Sequence, residues 1–288
     1  MTITAPILAI LCLIASGLFD LVLKLYASES RSKGILFLGI GVVWALLQLI
    51  YIEYSGGSLS LDSSTIIYGV SSAIFVTLSN LLLLECMSFF PISFASTVYR
   101  LNTIPLVVLA FFFLDEEISL LRSLGIVFGL LTVFLLYRPL DFGEKLSSKN
   151  LFFTILIVLA CVLRALYGLF IKAGIINGAD ANTMILMGAI GWFWGGILLT
   201  QYRERRFELT LEKFKFICIG GLLVFAVVWL LTKALMLGDA SVIIPLANMG
   251  FVAAFLFSIL LGLESLNSRK ILAIASAATA IIMLTSSA

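Results

Sequence analysis

Two arginines pose the sharpest chemical question in this chain. Arg100 and Arg164 each stand near the middle of a long apolar stretch, one in each half of the sequence. A guanidinium keeps its proton in proteins and presents a fork of N–H donors that fits a carboxylate or a phosphate. Inside a hydrocarbon layer such a charge costs about 2.5–3.5 kcal/mol on insertion scales, so it calls for a partner or a water-filled cavity. One reading is therefore an anion-binding pair. The competing reading is structural, with Arg100 paired to Glu85 and Arg164 to Asp20 as buried ion pairs. Tyr99, Asn102 and Asn248 lie close to Arg100 or in the equivalent stretch of the other half, where they would orient a polar substrate. Trp44 and Trp192 are too deep for an interfacial aromatic belt and suit a cavity wall or core packing. Asp20, Lys24, Glu85, Lys172 and Lys233 suit gates or coupling sites, with Asp20 or Glu85 carrying a coupling proton. The plainer alternatives are an i,i+4 pair between Asp20 and Lys24 and snorkelling of the residues nearest the ends.

Other chemistries lack their residues. The sequence contains no histidine, which removes the commonest metal ligand and the usual near-neutral proton relay. Cys12, Cys86, Cys161 and Cys218 sit singly in apolar helical sequence, as small core residues and not as disulfides or ligands. No Walker A loop and no nucleophile–base constellation is present, so no enzyme, cofactor or metal is expected.

The elements that must position these residues are membrane helices. The chain of 288 residues is 62% hydrophobic and only 12% charged, with a mean hydropathy of +1.19. Soluble domains carry about 25% charged residues. A net charge of +2 gives no reason to expect a nucleic acid partner, whereas lipids surround the whole chain. Ten apolar stretches follow one another: 3–26, 34–54, 65–89, 92–114, 120–138, 151–174, 182–202, 214–237, 241–263 and 270–286. Each is long enough to span or nearly span a bilayer. The N-terminus lacks a basic n-region and runs directly into the first span, which reads as retained. Pro105 and Pro245 predict kinks in spans 4 and 9. The glycines of span 7, Gly188, Gly191, Gly195 and Gly196, predict close helix approach.

The stretches repeat. At an offset of 148 residues Lys24 falls on Lys172, Trp44 on Trp192, Tyr54 on Tyr202, Glu85 on Lys233, Ser93 on Ser241 and Glu116 on Glu264. Matched Lys, Trp, Tyr and Glu at one offset are hard to obtain by chance, and internal repeats decide the fold. The expected architecture is an all-α integral membrane protein of ten transmembrane helices, made of two five-helix repeats, 1–140 and 151–288, joined by a linker at 141–150. An odd number of spans per repeat inverts the second copy, a layout that in transporters puts the substrate between the copies at mid-membrane. Arg31, Lys33, Arg138, Lys145, Lys149, Arg203, Arg205, Arg206, Lys213, Arg269 and Lys270 all fall in odd-to-even loops. By the positive-inside rule those loops are cytoplasmic and both termini lie outside.

The turn FFLDEEISLLRSLG at 112–125, its echo LLGLESLNSRKILA at 260–273 and the ten-span layout resemble the EamA-like branch of the drug/metabolite transporter superfamily. The resemblance covers essentially the whole chain. Its short Leu-Gly-Glu-like turn maps on Leu114, Asp115 and Glu116, and on Gly262, Leu263 and Glu264. It implies a small secondary transporter working by alternating access, exporting or exchanging a metabolite with a coupling proton or counter-substrate. The cavity of such proteins is built from spans 1, 3, 4, 6, 8 and 9, and their usual home is the bacterial inner membrane. Family members have cytoplasmic termini, opposite to the charge bias. The expected function is thus transport of a small polar or anionic metabolite. The alternative is a non-transporting scaffold or lipid-interacting protein with structural arginines.

Overall fold

A computed structural model describes residues 4–27, 32–87, 89, 98–117, 119–136, 148–204, 207–260 and 268–286. Ser93, Glu264, the Phe90–Pro91 break, Gly262 and Leu263 lie outside the described residues. So do Arg31, Arg138, Lys145, Arg205 and Arg206 and the side chains of Lys24, Lys149 and Arg203.

Every regular element among the described residues is helical, as backbone groups in a bilayer require, since lipid offers them no hydrogen bonds. The helices are α1 (Ala5–Ala27), α2 (Lys33–Tyr54), α3 (Ser63–Met87), α4 (Thr103–Phe113) and α5 (Leu120–Leu136) in the first half. The second half contributes α6 (Ser148–Ile176), α7 (Ala181–Leu199), α8 (Leu211–Leu237), α9 (Ala240–Asn248), α10 (Gly250–Leu260) and α11 (Ser268–Ser286). Among the described residues, eight helical segments are long and apolar enough to cross a membrane, and Val98–Phe113 and Leu120–Leu135 are shorter apolar helices. Phe112, Phe113, Leu198 and Ile282 belong to an apolar outer surface that suits lipid.

Helix starts follow local chemistry. Ser32 accepts from the Ile35 N–H (3.1 Å), Asp180 from Thr183 (2.7 Å) and Thr210 from Lys213 (3.3 Å). Each occupies an N-cap and satisfies a backbone donor the helix leaves open. Asp62 does the same ahead of α3, accepting from the Thr65 N–H at 2.6 Å.

Two of the expected spans are broken, and the breaks stand 148 residues apart, at Leu101–Asn102 and at Met249. In span 4 the cause is Pro105. It has no N–H for the Leu101 carbonyl and its ring crowds that carbonyl, so Ile104 bonds Leu101 instead in a tighter turn (3.0 Å). In span 9 Pro245 lies inside α9, and the break comes later, at Met249, next to a glycine. A Cβ on Gly250 would lie 2.6 Å from that of Ser16, and one on Gly17 would lie 2.6 Å from the Gly250 carbonyl oxygen. The close approach of α1 to span 9 thus depends on two residues without side chains.

The two halves interleave. Among the described residues α1 packs on α8, α9 and α10, α2 on α7 and α8, α3 on α6 and α7, and α5 on α11. Every extensive contact made by α1–α5 is with a helix of the second half. The stretches 1–140 and 151–288 are therefore not separately packed bodies. At the α2–α7 contact, a Cβ on Gly196 would lie 2.2 Å from the Leu38 backbone nitrogen, and one on Gly41 would lie 2.5 Å from that of Phe193.

Candidate functional site

The break at Met249 creates the first half of the site. In a continuous helix the Asn248 carbonyl would accept from Val252, but the Val252 N–H bonds Met249 at 2.9 Å. Arg100 takes up the released carbonyl, its Nη1 donating to Asn248 O at 2.9 Å. Its Nη2 donates to the Asp20 carboxylate in an ion pair, and its guanidinium lies 4.9 Å from the centre of the Phe251 ring. The Asn248 side chain donates to Asn102 Oδ1 at 2.7 Å and to Thr103 Oγ1 at 3.3 Å. Asn102 in turn donates to the Tyr99 carbonyl (2.7 Å), filling the gap left where span 4 breaks. Asp20, Arg100, Asn102 and Asn248 are thus joined into one network. A narrow crevice opens beside it, lined by Arg100, Thr103, Pro245, Asn248 and Phe251 together with α5 and α11.

The ion pairs differ from those expected. Arg100 pairs with Asp20 and not with Glu85, and Arg164 has no carboxylate partner among the described residues. The reason lies in helix rotation. Asp20 projects from α1 toward span 4, where α1 approaches the break, an orientation that spacing along one helix does not encode.

Arg164 is the second half of the site. It is half-buried on α6, its guanidinium 5.0 Å from the centre of the Tyr167 ring. Among the described residues it has no ion pair and no hydrogen-bond acceptor. Its near neighbours are Cys12, Tyr167 and Tyr99, all within electrostatic reach. Tyr99 also feels Arg100, and its hydroxyl lies 3.3 Å from that of Ser79. Tyr99 is therefore within electrostatic reach of both cations.

Other expected site residues lie elsewhere. Trp44 and Trp192 meet each other edge to face at 6.0 Å, and Phe37 stacks on Trp192 at 3.9 Å. Both tryptophans are buried in the α2–α7 contact, Trp44 against Gly188, and neither lines the crevice. Lys172 donates to the carbonyls of Leu235 (2.8 Å) and Gly238 (2.7 Å), capping the C-terminus of α8, where open carbonyls favour a cation. Glu85 and Lys233 are half-buried near the ends of α3 and α8.

A polar clamp at the α8–α9 turn was not among the expected site residues. The buried Glu116 carboxylate accepts from the N–H groups of Ala240 (2.7 Å) and Ser241 (2.8 Å), capping α9. Arg122 bonds the Asp239 carboxylate (2.9 Å), the Ser241 hydroxyl (3.1 Å) and the Glu117 carbonyl (2.6 Å). Recurrence of Glu116 at Glu264 was the available signal, because a carboxylate at the same place in two copies invites a common local role.

No protein-family profile matches the chain, and no curated protein does. Solved structures do share its architecture: 29 chains match. One protein crystal structure superposes with a TM-score of 0.85 over 99% of this chain and 97% of its own, at 12% sequence identity. At that identity the likeness shows the fold alone, and the fold is that of an all-helical, multi-pass integral membrane protein.

Proposed function

We propose that this chain is a secondary transporter of a small polar or anionic metabolite, of the EamA-like drug/metabolite type, working by alternating access in a bacterial inner membrane. Arg164 carries the reading. A permanent cation in the middle of a membrane helix, with no acceptor among the described residues, is costly unless water or an anion reaches it. Tyr99 and the Arg100–Asn102–Asn248 network border the same region and would orient the substrate, while Asp20, exchanging its hold on Arg100 for a proton or counter-substrate, would couple its movement.

The inverted repeat belongs to the same reading. Residues 148 apart touch one another: Arg100 bonds the Asn248 carbonyl, Ser276 bonds the Phe128 carbonyl at 2.8 Å, and the rings of Trp44 and Trp192 meet. In a two-fold arrangement a residue meets its own mate only beside the axis. Three such meetings support two copies of one unit, 1–140 and 151–288, related by an axis through the middle of the molecule.

Uptake of a panel of radiolabelled carboxylates and phosphate esters into proteoliposomes tests the proposal. The wild-type protein should move one class, and Arg164→Ala should lose that movement while retaining its melting temperature in detergent. Unchanged uptake by the variant would remove the assignment. Failure of every substrate, together with cysteine labelling confined to the ends of spans 4 and 9, would favour a non-transporting scaffold instead.

A further inference from the structure

We infer that the substrate is an organic monoanion, with one carboxylate. This rests on the transport reading above and narrows it.

The inference follows from charge and packing. Among the described residues, three ionised side chains lie well inside the spans: Asp20, Arg100 and Arg164. Asp20 and Arg100 neutralise each other through their ion pair. Arg100 is further committed to the Asn248 carbonyl and lies against Phe251. One positive charge is left over, on Arg164. A single carboxylate brings the interior to neutrality and takes both donors of one edge of the guanidinium. A second anionic group would enter a low-dielectric site without a free cation, so a dicarboxylate or a doubly ionised phosphate ester is penalised. An ammonium group is equally unserved, because the Asp20 carboxylate is already occupied by Arg100.

Around Arg164, one face of the guanidinium is turned to the Tyr167 ring, its α6 neighbours Ala160, Cys161 and Ala165 are buried in helix packing, and the hydroxyls of Tyr99 and Ser79 lie 3.3 Å apart.

The experiment is a thermal-shift titration of the purified protein with benzoate, butyrate, succinate, leucine and inorganic phosphate. Benzoate or butyrate should stabilise the wild type and bind about a hundredfold more tightly than succinate. Asp20→Asn frees Arg100 and raises the interior charge by one, so succinate should gain on butyrate. The double variant Asp20→Asn/Arg100→Gln restores the original charge and should restore the monoanion preference, which keeps the test decisive if Asp20→Asn alone does not fold. Succinate or phosphate binding the wild type as tightly as butyrate would overturn the monoanion assignment and leave anion transport standing. A preference unchanged by Asp20→Asn would do the same. Stabilisation by none of the anions, in wild type or variants, would overturn the transport reading itself.

Discussion

Glu116 shows how much one side chain settles at this scale. Its two carboxylate oxygens occupy the first two N–H groups of α9, a helix of nine residues separated from α8 by two residues. Replacing it with alanine leaves buried donors unpaired and should cost about 1–3 kcal/mol, read as a lower melting temperature in detergent. Glu116→Gln, which keeps one acceptor, should lose less. Outside the membrane, the Thr65 N–H and hydroxyl and the Ser60 hydroxyl hold the Asp62 carboxyl below its ordinary 3.8. A depressed value means that the ionised form favours the folded state. Its stabilisation is present above pH 3.8 and is lost as pH falls through the lowered value. The melting-temperature gap between wild type and Asp62→Ala should accordingly close on acidification below that point and stay constant from pH 5 upward. At this scale the sequence was a partial guide. Unusual residues at bilayer depth pointed to Arg100, Arg164, Asn102 and Asn248, because each is expensive there. Which carboxylate meets which arginine depends on the rotation of one helix against another, and no spacing within α1 or α6 records it.

At the scale of elements, apolar length located the membrane helices to within a few residues, and local rules decided the rest. Pro105 marked the span 4 break because proline removes a donor wherever it stands. The span 9 break was harder to foresee: Pro245 sits within α9, while the interruption falls where Gly250 lets α1 come close. A glycine's purpose is visible only in its neighbour. The span 7 glycines illustrate the same dependence from the favourable side, since Gly195 and Gly196 face Thr77 and Leu38 on two different helices. Gly196→Ala must push α7 off the α2 backbone, since its Cβ would lie 2.2 Å from Leu38 N. Such overpacking costs typically about 1–3 kcal/mol. The variant should melt lower than wild type, whereas Gly178→Asn, at a turn with φ +76 and nothing within 4 Å of a Cβ, should melt nearly unchanged.

The whole molecule adds something neither residues nor helices contain. Interleaving makes the helices of one half the packing surface of the other: α3 stands against α6 and α7, and α1 against α8. For a ribosome this arrangement imposes a wait. Synthesis at about 5–20 residues per second means that α1–α5 spend roughly 7–30 s in the membrane before the second half has been made. During that interval the surfaces meant for α7 and α8 face lipid or a chaperone, and Asp20 and Arg100, both encoded early, already have each other as partners. A product ending after α5 should therefore be degraded, while the two halves expressed together as separate chains should copurify and regain the melting temperature of the intact protein.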